Sequence, residues 1–370
     1  MAGNVVAIVL AAGFSERMGE FKPLLQLGGI TILERVVTLF KGAGIEDVRV
    51  VTGHRSAELE PLLAELGASA VANARYPEGM FSSVAAGVAT LGDEADSFFV
   101  LPVDVPLVKP ATIRRLLELH RQKQGEVSYP RFMGKRGHPP LIAARRAREI
   151  AAWHGEGGLK AALGQWESTA LDVDVADGNI LLDMDTPDDY LLLREKAERL
   201  EIPTTEECRA LMENVFHPDE AIIRHGRAVA LVATRLGSAL NGAGCSLDIP
   251  LLEAAALLHD LAKGEPDHAR AGAQLLHENG FGVVAEAVST HMDITVNEGI
   301  AISAAEVLYL ADKMVQGERR LAPEERFRAK KARYAGDPDI LDIIAGRLKN
   351  ALAIQSRIEI ILGCPLAEVI

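Results

Sequence analysis

Cysteine is scarce in this chain: Cys208, Cys245 and Cys364 are the only three in 370 residues. An odd, widely spaced set supports neither a disulfide framework nor a cysteine metal site, and a reducing, cytoplasmic setting is the expectation. Long apolar runs are missing too. None approaches the ~20 residues that cross a bilayer, so no membrane span is expected. The N-terminus does not read as a signal peptide, because Val5–Ala12 leads into a glycine loop rather than a cleavage site. Positive charge is in deficit: 39 Lys and Arg face 52 Asp and Glu, a formal net charge of −13. That balance argues against a nucleic-acid partner. It leaves small anionic substrates open, since a few local cations or a metal hold these whatever the total charge.

What is present is ordinary globular composition, 48% hydrophobic and 25% charged, in a chain long enough for two domains. Up to about residue 190, strand-like and helix-like segments alternate. Strands are expected near 5–10, 48–52, 70–73, 98–103, 140–143, 171–175 and 180–184, with helices near 32–41, 57–66, 83–91, 110–122, 144–151 and 158–165. This pattern predicts an α/β domain: a Rossmann-like, doubly wound, mostly parallel sheet with helices on both faces. Its site should lie beyond the carboxyl ends of the strands. After Pro187 the strand signal stops, and helical patterns follow at 205–213, 219–240, 249–262, 267–279, 282–291, 303–316 and 338–362. The expected division is therefore 1–202, α/β, and 203–370, all-α.

The most informative stretch is LAAGFSERMGEFKPLL, Leu10–Leu25. It leaves an apolar strand and carries two glycines, Gly13 and Gly19, and two cations, Arg17 and Lys22. Such a loop can bring backbone N–H groups against phosphates while Arg17 and Lys22 neutralise their charge. Leu10, Ala11, Ala12 and Gly13 are its candidate nucleotide-binding residues. The loop matches neither GxxxxGK[ST] nor GxGxxG, so the P-loop and dinucleotide fingerprints do not apply. Asp104, in PVDVPL, ends an apolar strand and is placed to hold Mg²⁺; Asp185 or Asp183, in DMDTPDD, is the candidate second ligand. Asp188 and Asp189 read as first-turn acids that favour a helix dipole. Asn73 ends the third strand and is a candidate reader of base or ribose, while Ser82 or Ser83 is expected to cap the next helix. The basic stretch Arg131–Arg148 reads as a solvated face.

Taken in order, LAAGFSERMGEFKPLL, NARYPEGMFSSVAAG, PVDVPL, GHPPL, GEGG and DMDTPDD resemble the molybdenum cofactor nucleotidyltransferases, and most the branch that joins CTP to molybdopterin. The resemblance covers the first ~195 residues. It implies that Arg17 and Lys22 bind triphosphate, that Asp104 binds Mg²⁺, and that a molybdenum hydroxylase apoenzyme receives the product. Guanylyl-transferring relatives carry glycine where this chain has Ala12. One Cβ discriminates by roughly 1–3 kcal/mol, a preference for cytosine over a purine.

Six of the ten histidines follow residue 202. His225 lies on an apolar helical face, His259-Asp260 closes another apolar helix, and Asp312 sits within VLYLADKM. Buried aspartates need a partner or a metal, and with histidines on separate helices they point to a metal site. The order His225, His259-Asp260, Asp312 resembles the HD phosphohydrolase superfamily. That resemblance implies metal at His225, His259, Asp260 and Asp312, a second metal at His268 and His291, and phosphate contact by Lys263. Fe or Mn suits such ligands. His217 and His277 match nothing and are read as surface residues.

The reading is a bifunctional enzyme. Its rivals are the same fold using GTP or a sugar-phosphate acceptor with a regulatory HD domain, and a molybdopterin chaperone without turnover. Oligomeric state is not legible, and a homo-oligomer is compatible with every reading.

Overall fold

The computed structural model describes residues 4–15, 17–296 and 299–370, which form two compact units, Met1–Leu200 and Glu201–Ile370. The first is built on β1 (Val5–Ala11), a fully buried strand. A short hairpin, β2 (Gln26–Leu27) and β3 (Ile30–Thr31), leads to α1 (Ile32–Gly42), whose N-terminus is closed by a Thr31–Glu34 capping box. β4 (Asp47–Thr52), α2 (Ser56–Leu66), β5 (Ser69–Ala72), α3 (Met80–Val88), β6 (Ser97–Pro102), α4 (Pro110–Lys123) and β7 (Val127–Phe132) follow. The unit is completed by β8 (Lys135–Arg136), β9 (Leu141–Ala143), α5 (Ala147–Ala151), α6 (Gly158–Leu163), β10 (Leu171–Asp174) and α7 (Pro187–Ala197).

The sheet order is β10-β7-β9-β6-β1-β4-β5, with β8 paired to β7. β1 pairs in parallel with both β4 and β6, and β9 is the antiparallel strand between β6 and β7. Period-two alternation along β1 divides the core. Val5, Ala7, Val9 and Ala11 face α1, α2 and α4, while Val6, Ile8 and Leu10 face α3, α5 and α6. Strand order reverses at β1 and β6, which opens a crevice at their carboxyl ends. Leu10 and Asp104 are neighbours there, since the Val103 amide donates to the Leu10 carbonyl at 3.0 Å.

The structure corrects several local expectations. Residues 180–184 are not a strand: Asp177 caps a 3₁₀ turn over Gly178–Leu181, accepting the Asn179 amide. α3 begins at Met80 with Gly79 as N-cap, so neither Ser82 nor Ser83 caps it; Gly79 takes φ 101°, which a serine would resist. β7 was not expected because it contains Pro130. Its place in the strand leaves the Pro130 carbonyl accepting the Gly137 amide.

The second unit is helical. It contains α8 (Thr205–Ala210), α9 (Glu220–Gly242), α10 (Ile249–Leu258), α11 (His268–Glu278), α12 (Gly282–Ser289) and α13 (Ala304–Lys313). A small hairpin, β11 (Val315–Gln316) and β12 (Arg319–Arg320), precedes α14 (Pro323–Arg333) and α15 (Pro338–Leu362). α13 is the central helix, buried at every position from Glu306 to Lys313. Gly226 lets α9 approach α10 closely, because a Cβ there would meet the Leu257 carbonyl oxygen at 2.7 Å. α14 escaped the sequence reading because only Pro323 and Phe327 of its eleven residues are buried.

One buried titratable group makes the first unit sensitive to acid. His120 packs with its Nδ1 2.8 Å from the Ser128 hydroxyl, and burial, with help from Arg145, lowers its pKa from 6.5 to about 4. Between those values the unfolded chain binds a proton that the folded chain refuses, so stability falls as pH drops from 6.5 toward 4. The full loss is roughly 3 kcal/mol at 1.36 kcal/mol per unit. Trp153 and Trp166, the only tryptophans, lie in this unit. Urea midpoints followed by their fluorescence should drop between pH 7 and 5 in the wild type and drop less in His120→Gln. Equal drops would refute this account.

Candidate functional sites

The first site forms where the loop after β1 meets the ends of β6 and the 3₁₀ turn. Ser15, at φ 59°, turns the loop back, and its Oγ accepts the Lys22 amide at 3.3 Å. This sends Lys22 inward, where it is 9% exposed. A buried ammonium requires counter-charge. Lys22 Nζ lies 3.4 Å from Asp104 Oδ2 and 3.2 Å from Asp185 Oδ1. Arg17 reaches the other oxygen of Asp185 at 2.9 Å but is mostly exposed, so that pair is weak and the guanidinium is available to a ligand. The Met184 amide donates to the Asp104 carbonyl at 2.9 Å, which locks the two acidic segments together. Asp189 was read only as a dipole acid. In the structure its carboxylate also accepts the Asp185 and Thr186 amides at 3.1 and 2.7 Å, fixing the backbone of Asp185.

Burial raises the pKa of Asp104; Lys22 opposes this, and the charges of Asp185 and Asp183 add to it. Two carboxylates thus flank one buried lysine, with the charge of Asp183 felt at Asp104, and hard oxygen donors in that arrangement suit Mg²⁺. His138 is kept neutral mainly by burial, against the pull of Asp104 and Asp183. All these groups, with Leu10, line a cleft of about 1380 Å³. Ala11 and Ala12 are buried and Gly13 is exposed. Asn73 is committed elsewhere. Its Nδ2 donates to the Ser82 and Ser83 hydroxyls at 2.9 and 3.0 Å and its Oδ1 accepts the Arg75 amide, so it shapes its own loop. The basic stretch is mostly ion-paired: Arg131 with Asp174, Arg145 and Arg146 with Glu126, and Arg136, at the cleft wall, with Glu167.

The second site gathers His225, His259, Asp260, His268, His291 and Asp312 from across the helical unit. Three histidines have their Nδ1 atoms on backbone carbonyls: His225 on Gly317 at 2.9 Å, His259 on Ala256 at 2.8 Å and His291 on Val288 at 2.8 Å. A carbonyl only accepts, so Nδ1 carries the proton and each Nε2 turns a bare lone pair inward. His225 Nε2 then faces Asp312 Oδ1 at 3.2 Å, and His291 Nε2 faces His268 Nε2 at 3.3 Å. His259 Nε2 is buried without any hydrogen-bond partner. Buried acceptors aimed at one another are the arrangement that a cation relieves. The donors fall into two sets that share Asp260, namely His225, His259 and Asp260, and Asp260, His268 and His291. Oδ2 of Asp260 lies 3.5 Å from His259, and Oδ1 lies 3.3 Å from His268.

Burial lowers the pKa of His259 to about 4, so it is neutral and ready to ligate near pH 7. Burial alone would raise Asp260 and Asp312. A hydrogen bond from His268 and the charge of Lys263 help outweigh it at Asp260, and the charges of Lys313 and Arg326 outweigh it at Asp312, so both stay ionised. Lys313 Nζ is 2.7 Å from Asp312 and Arg326 is 3.2 Å from it. Lys263 pairs with Asp260. Sequence reasoning missed Lys313 and Arg326; Lys313 was findable beside Asp312, whereas no pattern announced Arg326. His217 and His277 are exposed.

The first unit is thus of the class that sets a phosphate-type loop against the acidic edge of a largely parallel sheet, and the second is a helical unit with a histidine–aspartate cluster. The particular families follow: residues 7–170 match the MobA-like NTP transferase domain and residues 222–317 match the HD domain. The molybdenum cofactor cytidylyltransferase of Escherichia coli K12 is 28% identical over 192 residues, 51% of this chain and 95% of that protein. The bifunctional IPC transferase and DIPP synthase of Rubrobacter xylanophilus is 40% identical over 120 residues, 31% of this chain but 27% of that protein. The molybdenum cofactor guanylyltransferase of Xanthomonas euvesicatoria is 36% identical over 117 residues, 30% of this chain and 52% of that protein. The chain thus spans about a quarter to a half of two of these relatives and nearly all of one. Among the described residues, no helix is long and apolar enough to cross a membrane.

The two donor sets predict two Mn²⁺ ions per chain in the absence of nucleotide. His268→Ala should hold one, and Asp260→Ala, which removes the shared ligand, should hold none. Metal content after gel filtration reads this directly; two ions retained in His268→Ala would refute the second set.

Proposed function

We propose that the chain is a bifunctional enzyme. Its first unit transfers CMP from CTP to molybdopterin with release of pyrophosphate, and its second is a metal-dependent phosphohydrolase. The observation that carries the first half is the buried Lys22 held between Asp104 and Asp185 at the sheet's switch point. The relative that matches over 95% of its own length, a cytidylyltransferase, supports the choice of CTP and molybdopterin. Mg²⁺ held by Asp104 with Asp185 or Asp183 would neutralise charge building on the α-phosphate.

The chain's own residues do the rest. Arg17 and Lys22 exchange their carboxylate partners for the triphosphate, so the charges are in place before the substrate arrives. The loop from Leu10 to Gly13 offers backbone N–H groups. The acceptor phosphate oxygen bonds to the α-phosphorus in line, and the bond to the β-phosphate bridge breaks with its electron pair on the departing pyrophosphate. No side-chain nucleophile is required. The Cβ of Ala12 narrows the base site in favour of cytosine.

In the second unit the inward Nε2 atoms and the carboxylates of Asp260 and Asp312 would hold Fe or Mn, which supplies Lewis-acid activation of water and phosphate. The protein's part is to fix the tautomers and keep the ligand cage rigid.

Asp104→Ala should lower CTP- and molybdopterin-dependent pyrophosphate release by about a hundredfold or more, the scale of losing one key electrostatic group. Near-normal turnover in the presence of Mg²⁺ would sink the transferase assignment. Ala12→Gly should raise kcat/KM for GTP relative to CTP by about tenfold or more, the range one methyl commands; an unchanged ratio refutes its role. Asp260→Ala should abolish metal-dependent phosphate release while transfer persists. Loss of both in a folded protein would show that the sites are not independent.

A further inference from the structure

Beside the histidine–aspartate centre, which contributes His225 to its wall, lies a pocket of about 470 Å³ lined also by Lys263, Arg326, Lys330 and Arg333. None of the residues lining it is acidic. Arg326, Lys330 and Arg333 stand at i, i+4 and i+7 of α14, on one helix face. Like charges at this spacing destabilise a helix, so the face is poised for an anion. Lys263 and Arg326 reach the ligand carboxylates Asp260 and Asp312. Lys330 and Arg333 have only the rings of Phe327 and Tyr334 as neighbours of note, at 5.8 and 5.6 Å, and no carboxylate partner among the described residues. Although the Lys330 residue is exposed, its pKa is lowered to about 8, chiefly by desolvation and then by the charges of Arg326 and Lys313, with Asp312 opposing.

We propose that α14 and Lys263 form an anion clamp and that this centre hydrolyses a phosphoanhydride, Lys330 and Arg333 holding a phosphate beyond the one attacked. The inference rests on the phosphohydrolase reading. A monoester carries one phosphate, which would lie against the metal ligands and leave the outer cations idle. The pocket also falls within the ~300–1,000 Å³ of small-molecule sites, more than one phosphate fills. In the step, the oxygen of water bonds to the terminal phosphorus, and the P–O bond to the bridging oxygen breaks with its electron pair on that oxygen. Phosphate, the shortened remainder and a proton result, and water is the only co-reactant. Two sources offer this linkage: pyrophosphate leaving the transferase unit, and nucleoside polyphosphate from solution.

The test follows phosphate release by the full chain with Mn²⁺ from pyrophosphate, ADP and p-nitrophenyl phosphate. The variants are Lys330→Gln/Arg333→Gln and the charge-keeping Lys330→Arg/Arg333→Lys. Pyrophosphate or ADP should exceed the monoester in kcat/KM by about tenfold, and the Gln pair should raise KM by about tenfold with little change in kcat, a loss of binding rather than chemistry. The charge-keeping pair should restore KM. Preference for pyrophosphate assigns the transferase product as source, and preference for ADP assigns free nucleotide. Preference for the monoester, or an unchanged KM in the Gln pair, overturns the clamp. If the wild type hydrolyses none of the three, the phosphohydrolase reading fails on its own. Calorimetric binding of methylenediphosphonate with Mn²⁺ then decides the clamp: weaker binding in the Gln pair, with unchanged thermal melting, supports it, and equal binding overturns it. The transferase site is common to both proteins and cancels in that comparison.

Discussion

The first unit depends on one buried ammonium. Lys22 is inside because Ser15 turns the loop inward, and it stays there because Asp104 and Asp185 balance its charge. Burial raises the pKa of Asp104, Lys22 opposes it, and the charges of Asp185 and Asp183 add to the rise. Lys22 thus offsets part of the acidic charge at this edge of the sheet. Under the proposed function, phosphate would take the lysine and a divalent metal would take the carboxylates. Pre-built charge of this kind needs no reorganisation at the moment of reaction.

The second unit solves the opposite problem. There the surplus is of lone pairs, with His225, His259 and His291 each forced by a backbone carbonyl to aim Nε2 inward. Helix packing enforces this. Gly226 brings α9 against α10, and α13 is buried along its length, so the ligands cannot relax away from one another. Lys313 and Arg326 on Asp312, and Lys263 on Asp260, offset the charge of these buried carboxylates.

The sequence made these sites legible to different degrees, for physical reasons. Strands β1 and β6 are largely apolar runs buried on both faces, and such runs announce themselves. The acids and histidines were legible because burying such groups is costly unless chemistry requires it. β7 was not, since Pro130 argues against a strand, and neither was α14, since it buries two residues. α14 still carried weaker signals: Pro323 at its start, Glu324 and Glu325 in the first turn, and Lys330, Lys331 and Arg333 in the last, the order a helix dipole favours. Asn73 shows the reverse failure. It stands at a strand end, where ligand-binding residues gather, yet its amide is consumed by Ser82 and Ser83. Periodicity locates a residue on the fold, but only side-chain contacts reveal what its polar atoms already hold.

Charge joins the two halves of the argument. A chain of net charge −13 repels anions at long range, but over the ~8 Å of a physiological Debye length only local charge counts. Lys263, Arg326, Lys330 and Arg333 line a pocket beside the helical site whose wall has no acidic residue, whereas Arg17 and Lys22 in the loop after β1 stand against Asp104 and Asp185. The remaining cations of the Arg131–Arg148 stretch are largely cancelled by Asp174, Glu126 and Glu167, so they add little field of their own. The cations beside the helical site thus stand out on an otherwise acidic chain: a small anion can enter such a pocket alone, whereas a long polyanion must also lie along surface that repels it.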